Sequence, residues 1–336
     1  MINLSAPSPL PQHKLLLQAY EQIAPYIRET PLIKSERLSE LIGGDVFIKA
    51  ESLQKTGAFK FRGAIFRLLN LSSFEKKQGV IAYSSGNFAA GLAAAGQLLK
   101  VNVTLIMPHD APIAKVQNAQ SYGAEVILCH STEPSREEAA SLMAQKMATQ
   151  HKKVLLHPFD DRQIIIGQSS VSIELFRQLT AMKKHCQHLL CPTGGGSLVA
   201  GASLVAPEAS NIWAIEADGF QGMGLSLQHK TRTRAKGADN CECDALMALE
   251  PGKENFNITL QTGVKGFSVT QPYIREAVRL LFCELKLVVE PSGAIGVAAL
   301  LEAPQLFKRS TVVAIASGGN VDSEKYSDIL SVNWGK

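Results

Sequence analysis

Between residues 80 and 157 the chain alternates short apolar runs with stretches of helical period. Strands are expected at 80–83, 101–107, 126–129 and 154–157, and helices at 88–99, 113–122 and 133–149. Few architectures accept that rhythm, because strands joined through helices rather than tight turns pair side by side as a parallel sheet with helices on its faces. The segment, roughly 80 residues long, reads as a small α/β domain, residues 79–158. It would be inserted into a larger α/β domain formed by residues 1–78 and 159–336. Residues 1–14 read as a Pro-rich lead-in, 15–27 as a helix and 219–257 as an irregular loop. A ligand is expected in the cleft between the two domains.

Four segments carry residues with chemistry. Lys55-Thr-Gly-Ala-Phe-Lys-Phe-Arg-Gly63 joins an expected strand at 45–50 to a helix at 64–69, which puts Lys60 at a strand-to-helix turn. In a partly dry pocket its amine would lose proton affinity and could form a Schiff base or accept a proton. Alone, a solvated lysine is the commoner reading. Tyr83-Ser-Ser-Gly-Asn-Phe88 opens a helix of small residues and offers hydroxyls, an amide and free backbone N–H groups to a carboxylate or another anion. An ordinary Ser or Asn helix cap is the plainer alternative. In Leu189-Leu-Cys-Pro-Thr-Gly-Gly-Gly-Ser-Leu198 the glycines can turn sharply and aim N–H groups at a phosphate. Val199 breaks the spacing of a dinucleotide loop, no Gly-Lys-Ser/Thr follows, and a purely structural turn stays open. Thr311-Val-Val-Ala-Ile-Ala-Ser-Gly-Gly-Asn320 puts Ser317 at the carboxyl end of a buried strand, the edge at which open α/β sheets bind ligands.

Taken in this order, the four segments resemble the fold-type II pyridoxal-phosphate enzymes, the tryptophan synthase β-like group, and within it the serine/threonine dehydratases and serine racemases. Thr30-Pro-Leu-Ile-Lys-Ser35, Lys49-Ala-Glu-Ser-Leu-Gln54, Gly123-Ala-Glu-Val126 and Glu290-Pro-Ser-Gly-Ala294 extend the resemblance over residues 23–322. It implies a two-domain α/β fold of open, twisted parallel sheets, with pyridoxal 5′-phosphate as cofactor. Lys60 would hold that cofactor as a Schiff base and then act as the base that moves the substrate Cα proton. Asn87 would bond the ring hydroxyl, Gly194, Gly195, Gly196, Ser197 and Leu198 would cradle the phosphate, and Ser317 would face the pyridine nitrogen. Ser84, Ser85, Gly86, Asn87 and Phe88 would receive the substrate carboxylate. Glu290 would stand beside the ring, and Arg136 near the active site. A neutral serine at 317 makes the ring a weaker electron sink, which suits prompt loss of a β-substituent.

The activity so implied is an ammonia-lyase that removes water from serine, threonine or a 3-hydroxyaspartate-like substrate. The products would be a keto acid and ammonia. An amino-acid racemase, with Ser85 as second base, is the nearest rival, and a cofactor-binding protein without turnover is another reading. A homodimer in the cytoplasm is implied. Several residues depart from the family pattern. Phe88 stands where histidine is usual, Ser197 replaces a fourth glycine and would be strained at positive φ, Ala58 replaces serine, and Gly167-Gln-Ser-Ser170 replaces Gly-Gln-Gly-Thr. No metal site is expected, because Gly222 occupies the position, six after Glu216, where racemase-like relatives carry an aspartate.

Composition excludes other classes. A net charge of +4, dispersed along the chain, argues against nucleic-acid or membrane-surface binding. No apolar stretch of ~18 residues suggests a membrane span. Cys129, Cys186, Cys191, Cys241, Cys243 and Cys283 show no disulfide pattern, and Cys241-Glu-Cys243 lacks zinc-ligand spacing. The first residues do not read as a signal peptide. After Asp322 about 14 residues follow, too few for a C-terminal regulatory domain. His109, His130 and His157 read as surface or structural, and Trp213 and Trp334 as core or interface anchors.

Overall fold

The computed structural model describes residues 9–111, 113–131 and 136–331, with the side chains of residues 136 and 137 outside the description. Its strands are β1 (Leu32–Lys34), β2 (Asp45–Lys49), β3 (Val80–Tyr83), β4 (Val103–Pro108), β5 (Glu125–Cys129), β6 (Val154–Leu156), β7 (His188–Pro192), β8 (Asn211–Ala217), β9 (Lys265–Val269) and β10 (Thr311–Ile315). They form a six-stranded sheet, ordered β1-β2-β10-β7-β8-β9, and a four-stranded sheet, ordered β5-β4-β3-β6. Helices cover both faces of a parallel sheet, so its central strands are apolar throughout rather than alternating. Val46 and Ile48, Leu189 to Cys191, and Val312 to Ile315 are accordingly all buried. β10 pairs in parallel with β2 and β7, which centres the Ser317 loop at the sheet's carboxyl edge. β1 departs from the expected parallel arrangement and runs antiparallel to β2 at the edge of the sheet.

The helix expected over 15–27 runs from His13 to Ile23 and buries Leu16, Ala19 and Ile23 along one face. Ala24 still has helical backbone, but Pro25 lacks the N–H that would extend the helical hydrogen bonds, and the helix stops there. The stretch 219–257 is not irregular throughout, since helices occupy Gly222–His229 and Lys253–Gln261. Their start signals lie elsewhere in the chain. The Glu216 carboxylate accepts the N–H groups of Met223 and Gly224, and the Asp160 carboxylate accepts those of Lys253 and Glu254. Free helix N-terminal amides are therefore satisfied by distant carboxylates rather than by local caps. The helix expected at 133–149 is observed at Arg136–His151.

One close approach positions the site. A Cβ on Gly91 would lie only 3.0 Å from the backbone nitrogen of Phe61. Glycine there lets helix Asn87–Leu99 rest directly on the first turn of helix Lys60–Leu69. Trp213 packs edge-on against Phe307 and donates its indole N–H to His188 Nδ1 at 3.1 Å, a core anchor as expected. Trp334 lies outside the described residues. The six cysteines are free, and no described helix is long and apolar enough to cross a membrane.

Candidate active site

Lys60 is the first residue of its helix rather than part of the turn before it. Its Nζ donates to the Pro158 carbonyl at 3.0 Å and lies over the rings of Phe59 and Phe88, 5.3 and 5.9 Å from their centroids. Burial of the amine lowers its pKa from the ordinary lysine range to about 8. Phe88 thus helps to keep the amine dry, a role that the histidine usual at this position would not fill in the same way. Two residues on, Arg62 is fully buried and bonds both Glu51 and Glu174 at 2.8 Å, which ties the first turn of the lysine helix into the core.

The loop after β6 supports the lysine from the other side. His157 Nδ1 accepts the backbone N–H groups of Phe159 and Asp160, so its proton sits on Nε2, 2.9 Å from the Tyr83 hydroxyl. The Phe159 ring fills the space beside Gly195, where a Cβ would come within 2.2 Å of it. The Gly195 carbonyl accepts from Gly252 N at 3.0 Å and from Asn255 Nδ2 at 2.7 Å, and the same amide holds the Phe159 carbonyl at 3.1 Å. Gly196 takes the left-handed conformation at φ +100°. Ser197 therefore starts its helix at ordinary φ, and the strain expected there does not arise. Among the described residues the backbone N–H groups of Gly194, Gly195, Gly196, Ser197 and Leu198 have no protein acceptor. Successive free amides at a helix start are the kind of group that binds an anion.

A second set of free amides lies at the carboxyl end of β3. The Ser84 hydroxyl accepts from Gly86 N at 3.3 Å, while the N–H groups of Ser85, Asn87 and Phe88 have no protein acceptor among the described residues. They open a helix whose dipole favours negative charge at this end. The loop after β10 is stitched to the lysine segment. Ala58 bridges Gly318, Phe59 N donates to the Ser317 carbonyl at 3.1 Å, and Gly319 N donates to the Gly57 carbonyl at 2.9 Å. Asn87 Nδ2 donates to Glu290 Oε1 at 2.6 Å. Burial, with the Asp244 charge adding to it, pushes the Glu290 carboxyl up to about 8, so it is mostly protonated near neutrality.

The structure therefore gathers Lys60, Asn87, Phe88, Glu290 and the Ser317 loop by direct contact, and joins the glycine loop to them through Phe159. The Arg136 side chain lies outside the described residues. Pro158, Phe159 and Asn255 were not singled out in the sequence. Pro158 acts through its carbonyl, which leaves no side-chain signal, though its place after a strand at the carboxyl edge is where ligand loops gather. Glu216 commits its carboxylate to backbone amides, and among the described residues no group of His, Cys, Asp and Glu could hold a metal ion.

A family model described as pyridoxal-phosphate dependent enzyme matches residues 23–318. The chain belongs to that family. It is similar to the catabolic L-threonine dehydratase of Staphylococcus aureus, 32% identical over 320 residues, which covers 93% of this chain and 90% of that protein. Among solved structures it is similar to a threonine deaminase from T.th., with a TM-score of 0.86 and 36% identity over 93% of this chain and 99% of that one. Maize serine racemase gives a TM-score of 0.87 and 30% identity over 95% and 97% respectively. The residues present suit the family's cofactor. The glycine cradle offers free N–H groups to a phosphate, Lys60 offers a desolvated amine to an aldehyde, and a side chain at Gly195 would collide with Phe159.

Proposed function

We propose that the protein is an ammonia-lyase that takes water from a β-hydroxy amino acid, serine or threonine first among them, and releases a 2-keto acid and ammonia. The observation that carries this reading is the desolvated Lys60 amine, which stands close to the open amides of the Ser85 to Phe88 turn. Lys60 would hold pyridoxal phosphate, Gly194 to Leu198 its phosphate, Asn87 its ring oxygen, and Ser317 its pyridine nitrogen. When bound, the cofactor supplies the sink for the electron pair left at the substrate Cα. The N–H groups of Ser85, Asn87 and Phe88 hold the substrate carboxylate, which fixes the Cα proton relative to Lys60. With a pKa of about 8, Lys60 can take that proton and return it to the departing hydroxyl near neutral pH. Phe59 and Phe88 exclude water from the amine.

Racemisation is the second reading. The Ser85 hydroxyl has no protein partner among the described residues and could serve as a proton donor on the opposite face. The neutral Ser317 favours elimination whenever a β-hydroxyl is present, so racemisation is placed as the slower route. A panel of L- and D-serine, L-threonine and 3-hydroxyaspartate, read by keto-acid release and chiral chromatography for wild type and Ser85→Ala, tests both. Keto acid from an L-substrate should exceed its enantiomer, and Ser85→Ala should lose racemisation selectively. D-serine accumulating faster than pyruvate would reverse the order.

We also assign residues 79–158 as a small domain within a larger one made of residues 1–78 and 159–336. The assignment is supported by a six-stranded sheet that draws strands from both flanks of the four-stranded one. A cytoplasmic homodimer is the assembly assigned, to be checked by sedimentation.

A further inference from the structure

We propose that Asn320 is a positioning residue that locks the carboxamide of Asn87 in one orientation, so that the group Asn87 has left for the cofactor's ring oxygen is an N–H donor. The inference rests on the proposed cofactor role of Asn87 and concerns what fixes that side chain. The argument starts from Thr56, whose carbonyl can only accept. Asn320 Nδ2 donates to it at 2.8 Å, which settles which end of the Asn320 amide faces this way. The other proton of that NH2 group then meets Asn87 Oδ1, also at 2.8 Å. With Oδ1 so held, Asn87 turns Nδ2 toward Glu290 Oε1 at 2.6 Å and keeps one N–H uncommitted. Flipping Asn87 would set NH2 against NH2.

The backbone conformation at Thr56 supports this assignment. Its φ is +61°, a left-handed conformation that a branched side chain rarely adopts. Among the described residues the buried Thr56 hydroxyl has no partner, so its side chain offers no reason for the conformation. The carbonyl does, because it is the fixed acceptor that sets the whole chain of amides. The Ala58–Gly318 bridge and the bond from Gly319 N to the Gly57 carbonyl hold the two segments in register on either side. Gly318 has no room for a side chain, since a Cβ there would meet Glu290 Oε1 at 2.4 Å and Asn87 Nδ2 at 3.0 Å. A donor aimed at the ring oxygen favours its ionised form over its hydroxyl form.

The test uses the purified enzyme stripped of cofactor, titrated with pyridoxal phosphate and followed by absorbance. Asn320→Asp keeps the shape and removes the donor, while Asn320→Ala removes both. Asn320→Asp should weaken cofactor binding about tenfold and move absorbance from the band of the ionised ring oxygen to that of the protonated one. Asn320→Ala should be affected less, because an unpinned Asn87 can still offer its N–H. A space-filling role predicts the opposite order. If circular dichroism shows Asn320→Asp unfolded, Asn320→Leu, of similar shape and with neither donor nor acceptor, should weaken binding and move the spectrum part of the way, as Asn320→Ala does. Wild-type binding and spectrum in the donor-less variant, or Asn320→Ala worse than Asn320→Asp, would overturn the inference alone. A wild type that takes up no pyridoxal phosphate would overturn the cofactor reading and this inference with it.

Discussion

Replacing Arg62 by methionine tests how the lysine helix is held. Arg62, Lys49, Glu51 and Glu174 are all fully buried. Arg62 Nε and Nη2 meet Glu51, and Nη1 and Nη2 meet Glu174, each at 2.8 Å. Lys49 Nζ meets Glu174 Oε2 at 2.9 Å and the Thr30 carbonyl at 2.7 Å. The paired cations and carboxylates cancel, so the cluster is electrically neutral. Arg62→Met leaves Lys49 facing both carboxylates and strands one negative charge in the core. Breaking a buried network in this way costs about 3–5 kcal/mol, a large part of a total stability of about 5–15 kcal/mol. Glu51→Gln added to Arg62→Met restores neutrality around the Lys49–Glu174 pair. The double variant should therefore recover to within about 2 kcal/mol of wild type. In the wild type burial works to raise the Glu174 pKa, but the Arg62 hydrogen bonds and charge outweigh it and hold the carboxyl below its ordinary value. That contribution is present above the ordinary carboxylate range and is lost as pH falls through the lowered pKa. Without Arg62 the sign reverses, and mild acid should stabilise the single variant relative to neutral buffer. Urea unfolding followed by circular dichroism at both pH values supplies the numbers. A single-variant loss under about 1 kcal/mol, or a double variant no more stable than the single, would refute the reasoning.

Gly195→Ala must push the Phe159 ring aside, since the new Cβ would sit 2.2 Å from it; the protein should fold yet retain cofactor about tenfold less well in equilibrium dialysis, and normal retention would contradict the packing argument. The Lys60 amine titrates at about 8, so the rate of its reaction with pyridoxal phosphate should rise with pH and level off just above that value. Borohydride reduction and peptide mapping should then label Lys60, and a label on another lysine would remove the assignment. Glu290→Gln mimics the neutral carboxyl. The Glu290 pKa is raised in the fold, so its contribution is present below the ordinary carboxylate range and lost as pH rises through about 8. Glu216 is likewise raised to about 8 and stays in both proteins, so thermal melts across that window should decline more steeply in wild type than in the glutamine variant, and parallel curves would count against a buried neutral acid at 290.

The sheet was largely legible because buried parallel strands are apolar without interruption, as Thr311-Val-Val-Ala-Ile315 shows in both sequence and structure. The chemistry was legible where it concentrates in rare local strings, the three glycines at 194–196 and the Ser-Ser-Gly-Asn turn. What stayed hidden depends on partners far away in the chain. Helix Gly222–His229 begins with Met223 between two glycines, and the Glu216 carboxylate from β8 takes up the free amides of that start. In the sequence Phe88 is a bare departure from the family's usual histidine, but its ring is one of the surfaces that dries the Lys60 amine. The reactivity of that amine follows from a glycine and two aromatic rings in separate segments. Gly91 lets two helices touch, the contact brings Phe88 over Lys60 beside its neighbour Phe59, and the Pro158 carbonyl anchors the amine from a loop 98 residues away. No local pattern around Lys60 records that arrangement, since it exists only once the two sheets have packed their helices together.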